Sequence, residues 1–455
     1  MGESIKQRQV GMLIKKEVIL EGTLLLKESP FVYILSSKYR TDYCDFCFRK
    51  SNELLKCSNC KYVYYCGRPC QKEGWSLHRW ECKNFKKISP KLLPDAARLL
   101  YRLHKILENG GSTKKSYYTE KDYRTYKDLM SHYPELKKDQ RRMEHLSSLY
   151  GVLYEFCDNM LPNSAEFMGI YGRMCINSFN ICNQELQSLG TGIYLAASII
   201  DHSCEPNALA VFEGTTLYVR SLEKMSCLDW SKVRISYIDV MGSTEDRLRE
   251  LQKTYYFLCD CVKCIEPECV DDMYGAACPN PKCNSSINMN NNPTQCIKCG
   301  TVVTQDFANN FKDVLEFTEM HLDTMKQTTY LDVCKVCLKR HQQVLFKFHL
   351  KHVKVLDLAF ESAIDLGLFD EALQYGLELI EAYRKYYPEI HPLRGLLHLK
   401  LCKLLLYEGK VTEGINHLKS GTQILKITHG SSSSLYKSEV LPLMQQCRCI
   451  LNGVK

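Results

Sequence analysis

Long apolar runs are missing from these 455 residues. No stretch approaches the roughly 18 consecutive apolar residues needed to span a bilayer, so no membrane-spanning segment is expected. The start, MGESIKQRQV, lacks an apolar core, and a secretory leader is not expected either. Lys6 stands where N-myristoylation requires Ser or Thr, so that anchor is not expected. Biased low-complexity tracts are absent too. With 45% apolar and 25% charged residues, the composition is that of a soluble globular protein. The length exceeds what one hydrophobic core sustains, so two to four domains are expected. These absences point to the cytoplasm or the nucleus.

Cysteine, by contrast, is abundant: the chain has 25. Disulfides are rare in a reducing compartment, so metal binding is the alternative and spacing decides. The first cluster pairs Cys44 with Cys47, Cys57 with Cys60, Cys66 with Cys70, and His78 with Cys82. Four pairs at short spacing make two four-coordinate zinc sites. His78 and Cys82 are four apart, on one face of a helix turn. A segment of about 40 residues has too little core to fold alone, so the metal supplies its folding free energy. Spacing leaves sequential and interleaved pairing both open.

A second cluster, CDCVKC, holds Cys259, Cys261 and Cys264 and leaves a tetrahedral site one ligand short. The candidate for the fourth is Cys204, in SIIDHSCEPN (198–207). There an apolar run stops abruptly at Asp-His-Ser-Cys, just before a Pro-Asn turn signal. The third cluster, Cys278 and Cys283 with Cys296 and Cys299, reads as a zinc ribbon around an Asn-rich loop. The three clusters take 15 of the 25 cysteines and one histidine. The rest, Cys334 and Cys337 included, read as buried or helical thiols.

The formal charge is +8, and between Lys38 and Lys91 there are 13 Lys/Arg against 5 Asp/Glu. That basic face suits nucleic acid or an acidic partner, or is the solvated surface of a small metal domain.

Residues 10–36 alternate apolar and polar around the turn EGT (21–23) and predict an N-terminal hairpin. From Lys91 to about Met168 the pattern is helical, with stripes Ala97-Leu100-Tyr101-His104 and Leu146-Leu149-Tyr150-Leu153, broken at NGGST (109–113). Short strands return over 170–240, so the strand-forming region is split around an insertion. Residues 306–455 read as helices with a repeat spaced by 42, LGLFDEAL (366–373) against EGKVTEGI (408–415). A turn glycine followed by a small residue in the second helix is tetratricopeptide logic, lengthened; a third pair from 306–350 would cap the stack. A plain helical bundle is the alternative.

With these pieces in place, the chain resembles the SMYD family throughout: SET-domain protein-lysine methyltransferases with an inserted MYND zinc finger. The Cys/His ladder, CINSFNIC (175–182), DHSCEPN (201–207), VRISYID (233–239), YYFLCDCVKC (255–264) and KITHG (426–430) carry the likeness. The fold it implies is α+β. A split SET β-fold (1–40 and 169–241) would hold the MYND finger (41–84) and a helical insertion (85–168). A post-SET zinc segment (242–270), an extra ribbon (271–305) and a TPR-like helical domain (306–455) would follow.

The resemblance implies interleaved zinc pairing, with Cys44, Cys47, Cys66 and Cys70 on one ion and Cys57, Cys60, His78 and Cys82 on the other. It also sets Cys204 with Cys259, Cys261 and Cys264 on a third Zn2+; the ribbon would hold a fourth. The implied cofactor is S-adenosylmethionine, contacted by Arg8, Gly11, His132, Asn177, Asp201, His202, Tyr237 and Phe257. Tyr237 would be the active-site tyrosine, with Tyr255 and Phe179 walling the lysine channel. The implied substrate is a protein or peptide lysine on histone or non-histone chains, and the finger would take a proline-rich peptide. A monomer in cytoplasm and nucleus, without membrane, completes the expectation.

Four departures from the family pattern lie on the cofactor side. Arg8-Gln9-Val10-Gly11 keeps one glycine where relatives carry Arg-Gly-x-Gly. Asp201 replaces an asparagine, so an acceptor-only carboxylate stands for an amide. Met130 and His132 stand where active relatives carry an acid and an amide. The turn in CLDWSKVRISY (227–237) is two residues longer than the family's. A SET-derived scaffold acting through its finger and tail, and a nucleic-acid-binding zinc protein, are the competing readings.

Overall fold

The computed structural model describes residues 18–157, 161–266, 270–325 and 330–452. Residues up to Ile235, with Leu251–Leu258, form one compact unit; Ser236–Glu250, with Cys259 onward, form a second. Among the described residues no helix is long and apolar enough to cross a membrane.

The first unit opens with β1 (Leu24–Glu28), β2 (Val32–Leu35), β3 (Leu55–Lys56), β4 (Tyr64–Tyr65), α1 (Arg68–Ile88) and α2 (Asp95–Glu108). Then come β5 (Ser116–Tyr117), β6 (Tyr123–Arg124), α3 (Tyr133–Lys138), α4 (Gln140–Phe156) and α5 (Ser164–Asn177). It ends with β7 (Ser178–Cys182), β8 (Ser188–Ile193), β9 (Asp201–His202), β10 (Ala208–Glu213), β11 (Thr216–Ser221) and β12 (Arg234–Ile235). Helix α6 (Thr244–Tyr255) crosses the unit boundary along the chain.

Two three-stranded antiparallel sheets, β1-β11-β10 and β2-β8-β7, frame this unit. The expected N-terminal hairpin is therefore corrected, residues 10–17 of it lying outside the described residues. The turn at EGT forms, with Gly22 at φ +77°, but both its arms pair with the 216–225 segment: Ile19 bridges Met225 and Leu24 faces Arg220. β2 joins the other sheet, where Val32 faces Ile193. Alternation reports which face of a strand is buried and says nothing of its partner.

The predicted stripe of α2 is buried, and so are Leu146, Leu149 and Leu153 of α4. Gly110, at φ +83°, ends α2 where NGGST breaks the pattern. Helix α5 runs beyond the expected change at about 168, because Phe167, Ile170, Tyr171 and Met174 continue a buried 3.6-residue period. The core of the unit is the finger, α2, α4 and α5 packed together, joined by Val32, Ile34, Ile193 and Leu195 from the β2-β8 region.

The second unit adds α7 (Val262–Ile265), α8 (Asp271–Tyr274), β13 (Ala276–Ala277) and β14 (Ser286–Ile287). Seven helices follow: α9 (Gln305–Met325), α10 (Leu331–His341), α11 (Leu350–Asp365), α12 (Phe369–Tyr386), α13 (Pro392–Tyr407), α14 (Val411–Thr428) and α15 (Leu441–Leu451). Consecutive helices pack from α9 to α14. The turn glycines of the 42-residue repeat, Gly367 and Gly409, sit at φ +71° and +74°, a conformation that glycine adopts without strain. Gly376 lets α12 lie close between α11 and α13: a Cβ there would come within 2.7 Å of Phe360 and 2.8 Å of Leu401. Such layered helix pairs are the architecture the repeat predicted.

Candidate metal centres and active-site residues

In the finger each Cys-x-x-Cys turn closes alike. Phe48 N–H donates to the Cys44 carbonyl at 3.0 Å, and Lys61 N–H to that of Cys57 at 2.9 Å. Phe48 and Lys61 adopt φ of +57° and +55°, which turns the two sulfurs of each pair to one side. That conformation is costly for residues other than glycine, and a bound ion would over-determine it. Cys66 and Cys70 flank the start of α1, while His78 and Cys82 share its buried side.

The structure groups these atoms in interleaved fashion: Cys44, Cys47, Cys66, Cys70 in one set and Cys57, Cys60, His78, Cys82 in the other, each within 4.8 Å. Sulfur separations are 3.6 Å for Cys47–Cys66, 3.2 Å for Cys66–Cys70 and 3.7 Å for Cys57–Cys82. A tetrahedron with ~2.3 Å metal–sulfur arms has edges near ~3.8 Å, so the sets fit zinc. Hydrogen bonding from Cys47, the largest influence, lowers the Cys44 thiol to about 5, toward the thiolate that a metal requires.

His78 presents Nε2 to Cys60 Sγ at 3.4 Å and Nδ1 to Glu81 at 3.3 Å. Glu81 in turn receives Arg98 and Arg102, each with a closest contact of 2.6 Å. Asp45, inside the first Cys-x-x-Cys, takes a two-pronged bond from Arg98 at 2.7 and 2.9 Å and another from Arg102 at 3.1 Å. All four side chains are buried. Burial would raise both acids; the two guanidiniums outweigh it and hold Glu81 well below the usual range and Asp45 below its ordinary value. Arg102 also donates to the Tyr33 carbonyl of β2 at 2.7 Å, so the cluster ties the finger to a sheet. Sequence reading missed this cluster; two arginines on the otherwise apolar face of α2 were its only signal.

The ribbon repeats the design in the second unit. Cys278, Cys283, Cys296 and Cys299 form one set, with 3.5 Å for Cys278–Cys299 and 4.0 Å for Cys283–Cys296. Here glycine takes the left-handed position: Gly300 N–H donates to the Cys296 carbonyl at 2.8 Å with φ +71°. Hydrogen bonding by Thr301, side chain first and then backbone, lowers Cys299 to about 6. Cys259, Cys261 and Cys264 also bring their sulfurs within 4.8 Å of one another. Cys204 is fully buried in the first unit, and no disulfide joins the described cysteines.

The stretch SIIDHSCEPN forms a short 3-10 turn, a strand and a turn in succession. Glu28, buried, receives the backbone N–H groups of Ala196 and Ala197 at 2.9 Å and so anchors its start. β9 then pairs in parallel with β12, setting Asp201 against Arg234 and His202 against Ile235. Asn207 closes the other end, accepting from Arg234 N–H at 2.8 Å and donating to the Lys232 carbonyl at 2.9 Å. Neither Glu28 nor Asn207 was singled out from the sequence, where a lone acid in a strand and an Asn after Pro look unremarkable.

His202 is buried, 3.3 Å from Cys204 Sγ, and its ring lies 5.8 Å from that of Phe257, which is 6.5 Å from Tyr255. Asp201 is exposed, with Arg234 at 3.9 Å. Asn177 spends its amide N–H groups on the carbonyls of Met130 and Arg173, at 2.8 and 2.9 Å. His132 starts α3 in the left-handed region, 5.7 Å from the Tyr256 ring. Phe179 on β7 meets Tyr194 edge-on at 5.6 Å. Tyr237 belongs to the second unit, on a turn that Ser236 Oγ closes by donating to the Ile238 carbonyl at 2.7 Å. Arg8 and Gly11 lie outside the described residues. The turn before β12 buries Trp230, whose ring meets Tyr118 at 5.9 Å.

A family model described as the MYND finger matches residues 44–82. Histone-lysine N-methyltransferase SMYD3 of Homo sapiens is 30% identical over 432 residues, covering 94% of this chain and 92% of the relative. The chain belongs to the SMYD family. Another relative, histone-lysine N-methyltransferase ASHR1 of Arabidopsis thaliana, is 30% identical over 91% of this chain and 89% of its own length. N-lysine methyltransferase SMYD2-A of Xenopus laevis is 28% identical, with 90% of each covered. The alignments cover most of the chain, so the SMYD assignment extends beyond the finger.

Proposed function

We propose that this chain is a protein-lysine N-methyltransferase that takes its methyl group from S-adenosylmethionine. The observation that carries the reading is the parallel pairing of β9 with β12, which sets His202 beside Ile235, two residues before Tyr237. The relatives named as lysine methyltransferases over most of the chain support it.

Bound S-adenosylmethionine supplies an electrophilic methyl for in-line displacement by a lysine amine. The residues fit such a molecule by chemistry. The Asp201 carboxylate and the Asn177 amide oxygen accept from its ammonium group; His202 and Phe257 offer an aromatic surface; Arg8, Gly11 and His132 complete the proposed contacts. Phe179 and Tyr255 wall the lysine path, where desolvation favours the neutral amine that attack requires. The Tyr237 hydroxyl orients the reacting groups and steadies the polarised methyl. Cys204 is the proposed fourth donor to the zinc of Cys259, Cys261 and Cys264, closing the post-SET segment. The finger and the ribbon would be structural; a proline-rich peptide on the finger belongs to the reading as a docking partner. Substrates are histone or other protein lysines, in cytoplasm and nucleus.

Asp201, exposed and acceptor-only, favours a second reading: a scaffold with catalysis weakened. Titration calorimetry of zinc-loaded protein with S-adenosylmethionine separates the two. Binding, together with methyl transfer to a lysine-peptide array that is lost in Tyr237→Phe, is expected; no heat at millimolar cofactor leaves the scaffold.

A further inference from the structure

Within the second unit, the chain that carries Tyr237 is gripped by the helical array. Tyr387 caps the C-terminus of α12 and is 4% exposed. Its hydroxyl donates to both carboxylate oxygens of Asp239, at 3.1 and 3.3 Å. Asp239 lies two residues after Tyr237, and its Oδ1 also accepts the Met241 N–H at 2.9 Å. Val240, between them, is 4% exposed and belongs to the same apolar core as Leu350, Val353 and Tyr387. Lys263 reaches the Val240 carbonyl at 3.4 Å.

The tyrosine is itself immobilised. Its ring stacks on His391 at 4.2 Å and 10°, and meets Tyr383 edge-on at 5.0 Å. Tyr383 donates to the half-buried Asp357 at 2.9 Å. Burial first, then the charge of Asp239, keeps the Tyr387 phenol far above its ordinary value, so it stays a donor at any working pH. Asp239 by contrast is an exposed residue. Water alone could satisfy its carboxylate, so what the bond adds is a fixed path for the backbone around Tyr237.

We propose that Tyr387 is a positioning residue: through Asp239 it holds the segment bearing Tyr237, so that methyl transfer depends on an intact helical array. This rests on Tyr237 being the active-site tyrosine. The test uses the full-length, zinc-loaded chain. Tyr387→Phe keeps the ring and removes one hydroxyl. Its kcat should fall about 10- to 100-fold, the range a small misplacement costs, with peptide KM within about twofold. Amide hydrogen exchange at 238–241 should speed up by about tenfold or more if the tether is lost.

Asp239→Asn, which keeps an acceptor oxygen, should retain most activity. Asp239→Ala should match Tyr387→Phe, and the double variant should be no worse than either, as expected for two ends of one bond. Unchanged exchange in Tyr387→Phe, faster exchange with unchanged kcat, or additive losses would each overturn the proposal. If Tyr237→Phe retains full transfer, the active-site reading itself fails; if it abolishes transfer while Tyr387→Phe behaves as wild type, only the positioning role fails.

Discussion

His78 Nδ1 lies 3.3 Å from the Glu81 carboxylate, and the same carboxylate takes the guanidiniums of Arg98 and Arg102. A zinc donor of the finger is therefore oriented by arginines of α2, in the helical insertion. Glu81→Gln would leave Asp45 alone against two buried cations. Breaking a buried pair costs about 3–5 kcal/mol, and losing a partner that orients a ligand lowers metal affinity about 10- to 100-fold. Thermal unfolding and zinc competition with a chelator should show both losses; wild-type chelator resistance would mean that Glu81 does not orient His78.

Metal content tests the zinc assignments by count. The described residues hold three complete four-donor sets, each within one unit, and a three-thiol set that Cys204 is proposed to complete. Mass spectrometry under native conditions should find four zinc ions per chain and three in Cys204→Ser. Four ions retained in Cys204→Ser would remove Cys204 from the donor list.

Gly376 tests the packing of the helical array. A Cβ would meet the Phe360 ring at 2.7 Å and Leu401 at 2.8 Å, contacts too short to persist. Overpacking of this kind costs about 1–3 kcal/mol. Gly376→Ala should lower the midpoint of urea unfolding; an unchanged midpoint would show that α11, α12 and α13 are less tightly packed than these distances require.

Acid should destabilise the array through its histidines. Burial lowers His341 and His349 to about 3, and His352 and His398 to about 4. Thr318 Oγ1 donates to the Val314 carbonyl at 2.7 Å, so His341 Nε2 must donate to Thr318 at 2.8 Å, leaving its Nδ1 to accept from His352 Nδ1 at 3.1 Å. A charged His341 would set two N–H groups head-on. The unfolded chain, titrating near 6.5, binds more protons than the folded one, so stability is full above ~6.5 and is lost as pH falls toward about 4. Asp357, raised by burial to about 6, works in the opposite sense and offsets part of the loss. Urea midpoints at pH 7.5 and 5 should differ, and His352→Gln should shrink the difference; a midpoint independent of pH would refute the linkage.

The cysteine ladder was legible because zinc demands donors at short, fixed spacing, and a local turn satisfies that demand. Helix periods and the repeat glycines Gly367 and Gly409 were legible for a similar reason: each is set within a few residues. The N-terminal strands were misread because β1 and β2 choose partners more than 150 residues away. Asp45, Glu81, Arg98 and Arg102 went unnoticed because charge in a sequence looks solvated until burial pairs it.

By itself, then, the order of residues determined where metal donors stand, which segments are helical and which face of each is apolar, since all of these arise from contacts between near neighbours. Only the tertiary structure decided which strand lies beside DHSC, which carboxylate steadies His78 and what holds the turn after Tyr237. Those choices depend on chain-distant groups leaving water together, and no local pattern records that.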